Sequence, residues 1–310
     1  MLGMALNTPA RLAGLVLAIL AALGCVDTPY PEVKVDLRGQ PPAPPAVAPS
    51  GPVLRVSVAA MQSPADTYAS YSRFLGRMGA LLGDQVQFVQ RRTYGEVNDL
   101  LLSGQLDAAL VCTGGFLELE SRRPGAVEVL AVPVIGGKTT YHSDLIVPAA
   151  SQARSLADLA GRRFAFTDDL SLSGYLYVAS QLRERGLDHG RFFASAIFTR
   201  SHDRSIEAVA KGLVDGASVD SLVLESLLAR DPGLAARVRV IHRSPPFGVM
   251  PVVAPVTLPV ETRRKLGAVL LELHLDPEAA KALQAVGIER FVAPPPGHYS
   301  DAARVTELAR

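Results

Sequence analysis

Residues 167–175 read TDDLSLSGY, and two hydroxyl side chains, Ser171 and Ser173, precede Gly174 where a strand pattern gives way to a helical one. Free backbone N–H groups at a helix start, with the helix dipole behind them, attract an anion, and hydroxyls there add donors. The same residues also suit plain helix capping by one serine. A second strand-to-helix junction, TRSHD, carries His202, a residue type that serves there equally as a cap or a surface group. Tyr94 and Tyr141 each stand near an element edge, as phenol donors or as packed aromatics. Cys112 precedes Thr113-Gly114-Gly115, where a loop could present a thiolate. A nucleophile needs a base beside it, and the sequence places neither His202 nor Glu118 there. A small buried hydrophobe is the plainer reading of Cys112. The six histidines, at 142, 189, 202, 242, 274 and 298, include no pair at ligand spacing on one helix, and no Cys-x-x-Cys exists. Neither a metal site nor a cofactor is expected.

The elements that must position these groups follow an α/β alternation. Residues 53–60 read as a strand, and Ser63-Pro64 as a cap with proline in the first helical turn. Tyr71, Phe74, Leu75, Met78, Leu81 and Leu82 recur at helical spacing after it. Residues 86–89 form a strand, and Thr93-x-x-Glu96 fits a capping box opening a helix through Leu102. Residues 106–112 and 127–134 are buried strands. In the second half, residues 155–159 form a short helix, 163–167 a strand and 174–185 a helix. Strands over 194–198, 214–219 and 238–241 enclose helices over 203–211 and 221–228. One more apolar run follows Pro251, then two terminal helices over 260–273 and 277–286. The second half repeats the theme of the first without repeating its sequence.

The chain has 310 residues, 48% hydrophobic and 20% charged, which excludes wholesale disorder. Lys and Arg number 31 against 30 Asp and Glu, a net charge of +1. That balance argues against a general nucleic-acid or anionic-membrane binder, so any anion must be held by a local site. Trp is absent and aromatics are 6%, which removes stacking platforms for single strands. Arg11 is the sole charge in the first 26 positions, and the apolar run LAGLVLAILAAL after it is too short to span a bilayer. A positive start, a short apolar core and small residues describe an export signal over residues 1–24. ALGC, ending at Cys25, resembles a bacterial lipobox, in which the cysteine is lipidated and becomes the mature N-terminus. Here Leu23 stands one step later than the usual leucine, and Ala22-x-Gly24 also suits ordinary signal peptidase. Residues 25–52, with eight prolines from Asp27 on, read as a semi-rigid spacer.

Taken together and in order, the motifs resemble those of the phosphate/phosphite/phosphonate-binding proteins of bacterial ABC importers. The resemblance covers most of residues 53–293. It rests on Tyr94 with VNDLLLSGQLDAAL, GGKTTYHSDLIV around Tyr141, and SLADLAGRRFAFTD before SLSG. SHDRSIEAVAKGLVDGASVDS, SPPFGVMP and ALQAVGIERF complete it. It implies the two-lobed type II periplasmic-binding fold, each lobe a mixed sheet flanked by helices. Lobe 1 is expected over residues 53–142 and 250–310, and lobe 2 over 143–249. Carried over residue by residue, the site comprises Tyr94, Tyr141, Ser171, Ser173, Gly174 and His202. The family's turn has a central Thr where this chain has Leu172, which removes one hydroxyl. Relatives that bind aminoalkyl phosphonates use acids near SPPFGVMP and near Leu222. The first segment has no carboxylate here, and the acid nearest the second is Asp220, so an amino-phosphonate is disfavoured.

The resulting expectation is a lipid-anchored solute-binding protein of the periplasm or cell envelope. It would bind a small phosphorus oxyanion between its lobes, and its partners would be an ABC permease and ATPase in the inner membrane. It is expected to be monomeric, without catalysis and without nucleic acid. Two alternatives stand beside it. One is a ligand sensor of the same fold that signals to a membrane partner. The other is a Cys-dependent enzyme on this fold.

Overall fold

The computed structural model describes residues 52–310; the expected leader, lipidated Cys25 and proline spacer up to residue 51 lie outside them. The alternating pattern forms two sheets. In the first, strand β1 (Val53–Val58) pairs in parallel with β2 (Gln85–Val89) and β3 (Ala108–Leu110). Strand β12 (Val252–Pro255) lies antiparallel to β3 and to β4 (Val127–Val134), and β13 (Arg290–Val292) adds to β4. In the second, β7 (Arg163–Phe166) pairs in parallel with β8 (Ser195–Phe198) and β9 (Gly216–Asp220). Strand β6 (Ser143–Pro148) lies antiparallel to β9 and to β10 (Val238–Arg243).

The two sheets share one plan: three parallel strands, then one inserted antiparallel strand, then a fifth. The inserted strands belong to the crossovers, since β6 opens the second sheet and β12 returns to the first. The crossing itself is a two-stranded ribbon of β5 (Thr140–Tyr141) and β11 (Phe247–Gly248). A side-chain clamp recurs in both sheets as well. Arg55 of β1 grips Asp107 through Nε and Nη2 at 3.0 and 2.9 Å and donates to the Gly104 carbonyl. Arg163 of β7 grips Asp215 at 3.1 and 2.8 Å and donates to the Gly212 carbonyl. Two halves with little shared sequence thus solve the same strand junction in one way.

Parallel strands require helical crossovers, and these follow at the strands' carboxyl ends. They are α1 (Pro64–Leu82), α2 (Tyr94–Leu102) and α3 (Thr113–Arg122) in the first half. In the second half come α4 (Tyr177–Arg183), a short α5 (His189–Phe192), α6 (His202–Ala210), α7 (Ser221–Arg230) and α8 (Pro232–Ala235). The Thr93–Glu96 capping box is present in both directions.

Differences from the sequence reading include the following. The stretch after Cys112 is helix α3, not a loop, with Cys112 as its cap. The segment expected as one helix from Gly174 begins instead as a wide π-type turn over Leu172–Leu176. After α9 (Val260–Glu272) and α10 (Pro277–Ala285) there is a third terminal helix, α11 (Ser300–Ala309). It packs on α3 and also on α4, so it bridges elements of both sheets. Its Ala302 and Ala309 share one apolar cluster with Tyr177 and Ala179 of α4.

Candidate functional site

The carboxyl ends of the parallel strands in both sheets converge, the usual place for a ligand crevice in open α/β sheets. Each such end feeds a helix start. After β2 the first residue of α2 is Tyr94, and after β8 the first residue of α6 is His202. After β3 the cap of α3 is Cys112, and after β9 the cap of α7 is Asp220. After β1 comes Met61, and after β7 the Ser171–Gly174 turn. Helix N-termini from both halves therefore point at one place, and each dipole favours negative charge there.

That place is a cavity of about 10 Å³ lined by Met61, Cys112, Thr113, Tyr141, Ser171, Ser173, His202, Asp220 and Met250. It offers room for about one water-sized group. No Lys or Arg belongs to its wall. The closed arrangement is fastened across the cleft. His202 N–H donates to the Met61 carbonyl at 3.0 Å. Ser63 N–H donates to Asp203 Oδ2 at 3.1 Å, and Tyr94 N–H reaches Asp168 Oδ2 at 3.4 Å. Asp168 is itself buried, which pushes its carboxyl up to about 6 against the backbone N–H groups of Leu170 and Tyr94 that favour its charge.

His202 has its tautomer set by its neighbours. Nδ1 accepts from the Asp220 backbone N–H at 3.0 Å and faces the Thr167 hydroxyl at 3.0 Å. An N–H donor leaves Nδ1 no room for a proton, so the neutral ring carries its hydrogen on Nε2. Burial pushes the ring pKa down to about 3, which keeps it neutral. Nε2 lies 3.5 Å from Ser171 Oγ at the cavity wall. Ser171 Oγ accepts from Gly174 N–H at 3.0 Å, so this serine caps the turn and keeps its own hydrogen to donate. The capping reading of that serine is the one the hydrogen bonds show.

Ser173 is held from behind, where its carbonyl accepts from the Ser143 and Ser218 hydroxyls at 2.7 and 2.6 Å. Burial pushes the Tyr141 phenol well up, the Asp220 charge adds to this, and the nearby Thr113 and Ser173 hydroxyls oppose it. Asp220 accepts through Oδ1 from the N–H groups of Leu222 and Val223 at 2.7 and 3.2 Å, and its side chain forms part of the cavity wall. Burial, with the charges of Asp144 and Glu225 adding, pushes this carboxyl up to about 7.

The structure thus gathers four of the sequence-chosen residues, Tyr141, Ser171, Ser173 and His202, into one wall. Tyr94 stands just outside it: its hydroxyl is buried without a partner, and burial pushes the phenol well up, with the Cys112, Asp168, Asp220 and Tyr141 charges adding. Gly174 lies behind the wall, where a Cβ would come within 2.5 Å of the Thr167 side chain. Met61, Thr113, Asp220 and Met250 are lining residues that no motif singled out as site residues. Their signal is positional, at or near a strand end, with Met61, Thr113 and Asp220 by the carboxyl ends of parallel strands and Met250 between β11 and β12, and it needs the strand order to be read.

Cys112 is not placed as a nucleophile. Burial pushes the thiol well up, and Sγ accepts from Gly115 N–H at 3.1 Å as a helix cap. His202, already bound at Nδ1 and held near pKa 3, is a poor base for it. Leu172 is likewise not a lost donor. Its side chain is 1% exposed and joins the apolar cluster with Leu176, Tyr177 and Met250. Leu172→Thr should therefore lower unfolding stability by about 2–3 kcal/mol, from lost apolar volume and a buried hydroxyl. Chemical denaturation checks this, and calorimetry should show no gain in oxyanion affinity.

A two-lobed fold with a dipole-lined cleft at the strand ends defines a periplasmic binding protein. Residues 56–299 match the family described as "ABC transporter, phosphonate, periplasmic substrate-binding protein", and the chain belongs to it. It is similar to the phosphate-import protein PhnD of Mycolicibacterium smegmatis, 28% identical over 194 residues. That match takes in 59% of this chain and spans 60% of the relative's length. Among solved structures it is similar to a binding-protein component of an ABC phosphonate transporter from Pseudomonas aeruginosa. The TM-score is 0.77 at 23% identity, over 84% of this chain and 87% of that one. It is also similar to PhnD1 of Prochlorococcus marinus in complex with methylphosphonate. There the TM-score is 0.73 at 20% identity, over 82% of this chain and 97% of that one.

Proposed function

We propose that this chain is the solute-capturing component of an ABC importer, closing its two lobes on a phosphorus oxyanion (phosphate, phosphite or a phosphonate). The lobes would be residues 53–142 with 250–310, and residues 143–249. The observation that carries the reading is the wall of the cavity at the strand ends, which must widen beyond one water-sized group to admit the ion. It offers hydroxyls at Ser171, Ser173 and Tyr141, a neutral His202 with hydrogen on Nε2, and no cation, while the Thr113 hydroxyl is engaged as donor to the Gly248 carbonyl at 2.8 Å. Such a wall holds an anion through dipoles and hydrogen bonds, each charge-assisted bond contributing ~1.5–3 kcal/mol. Tyr94, with its unpartnered hydroxyl, and Gly174, which lets the turn close, belong to the same machinery. The protein is a monomer that performs no catalysis, meets a permease and ATPase pair, and is held at the membrane by lipid on Cys25. The leader, the ALGC motif and the proline spacer support that anchor.

Asp220 supplies the selectivity. An ionised carboxylate facing a bound anion repels it, so one proton must lie on Asp220 or on the ligand. Because Asp220 sits near pKa 7, raised by burial, its protonated form is populated below that pH and lost above it. Affinity should therefore fall as pH rises, by about tenfold or more between pH 6.5 and 8.5, at ~1.4 kcal/mol per decade. Asp220→Asn should flatten that slope. Calorimetry against phosphate, phosphite, methylphosphonate, an aminoalkyl phosphonate and sulfate tests the whole reading, and sulfate should bind weakest because it brings no proton. Failure of every phosphorus oxyanion to bind would overturn the function. A pH-independent affinity in the unaltered protein would remove the role given to Asp220.

A further inference from the structure

A cavity of about 490 Å³ lies between α4 and the second sheet, and it shares no wall residue with the oxyanion cavity. Its apolar wall includes Val178 and Leu182 of α4, Leu145 of β6 and Ile241 of β10, with Leu156 and Leu187 from the flanking loops. Leu187 is 39% exposed, so part of this apolar wall faces water. The volume falls within the ~300–1,000 Å³ of small-molecule sites. Two exposed arginines, Arg154 and Arg185, also line the cavity, which sets their charges at its mouth. No Asp or Glu does.

The Arg185 guanidinium is folded onto the wall, where Nη1 donates to the carbonyl of Gln181, itself a wall residue. Burial pushes the phenol of the wall residue Tyr177 up, the Glu184 charge adds to this, and the Arg185 charge opposes it. The Tyr177 hydroxyl is already engaged with His242 Nε2 at 2.8 Å. The Arg154 guanidinium makes no hydrogen bond or ion pair among the described residues. The acids beside these arginines lie outside the wall and have other partners. Asp158 accepts from the Arg154 and Ser155 N–H groups at 2.9 and 3.0 Å, and Glu184 accepts from Gln181 Nε2 at 3.2 Å. We propose that this cavity is a second ligand site, for an organic monocarboxylate with an apolar body, such as a medium-chain fatty acid. The body would displace water from the apolar wall, and the carboxylate would stay at the mouth on the guanidinium groups. A small hydrated oxyanion gains nothing from such a wall, and an apolar cation would meet like charge.

The test is calorimetry of the mature protein with hexanoate, octanoate, octanol and octylammonium. Affinity should rise about threefold to fourfold per added methylene from hexanoate to octanoate. Octanoate should bind about fivefold to tenfold tighter than octanol, and octylammonium weakest. Arg154→Glu and Arg185→Glu, both on exposed positions, should each weaken octanoate about fivefold and spare octanol. Ala160→Trp, at an exposed position in the wall, should fill the cavity and abolish binding of both, with thermal unfolding to show that the variant is folded. Phosphate in excess should leave octanoate affinity within about twofold, because the two cavities are separate. Absence of octanoate binding would overturn the proposal, as would octanol or octylammonium binding as tightly as octanoate. So would octanoate binding that phosphate displaces, or that none of the three variants alters. Failure of phosphate itself to bind would count against the oxyanion reading and leave this site untouched.

Discussion

His202→Ala should weaken oxyanion binding by about tenfold to a hundredfold, and lower stability at the same time. The ring does two jobs through its two nitrogens. Nε2–H is the donor facing the cavity, and losing a hydrogen bond to a charged group costs ~1.5–3 kcal/mol. Nδ1 satisfies the buried Asp220 N–H at 3.0 Å, and orphaning that donor costs a further ~1–3 kcal/mol of folding free energy. Two further substitutions separate the jobs. His202→Asn places a carbonyl oxygen near the former Nδ1 and should recover stability without binding. His202→Gln extends an amide donor toward the former Nε2 and should recover binding more than stability. Calorimetry and thermal unfolding on the three variants read both effects. Wild-type affinity in His202→Ala would mean that Nε2 does not touch the ligand.

Gly114→Ala should cost as much by a different route, because it blocks closure and not contact. A Cβ at Gly114 would lie 2.1 Å from the Leu170 carbonyl oxygen and 3.0 Å from the Leu172 N, both backbone atoms across the cleft. Backbone cannot swing aside as a long side chain can, so the cleft must stay ajar. Overpacking costs ~1–3 kcal/mol or more, which converts to a loss of about tenfold to over a hundredfold in affinity. Parting of the lobes would relieve that overlap, so the ligand-free melting temperature should change little. Small-angle scattering should show compaction of the unaltered protein on adding ligand and none in the variant. Normal compaction and affinity in Gly114→Ala would show that this close approach is not part of the bound state.

The local elements were legible because their causes are local. The Thr93–Glu96 box closes on itself within four residues, so spacing alone identifies it. The strand over 127–134 is a largely apolar run, broken by the exposed Glu128 and buried from Leu130 on, and its ends coincide with the reading. Ser171, Ser173 and His202 were visible as hydroxyls and an imidazole at strand-to-helix junctions, and the order of motifs along the chain pointed to the family. The start of α3 was not visible, because Gly114-Gly115 is poor helix sequence. Gly114 is there for the cleft, where Leu170 leaves no space for a Cβ. Leu172 looked like a missing donor from its place in the motif, yet the π-type turn sends it into the apolar cluster.

The sequence by itself determined the alternation of strands and helices, the chemistry at each junction and the kinship of the chain. What only the tertiary structure decided was which junctions meet. Residues 61, 112, 171, 202, 220 and 250 come together because β12 and β6 are inserted into sheets far from their sequence neighbours. That placement fixes the hydrogen on Nε2 of His202 and raises Asp220 toward neutrality, since both effects come from burial and from partners contributed by distant segments. Protonation state and cavity shape depend on the summed surroundings of a group, and a linear pattern does not contain that sum.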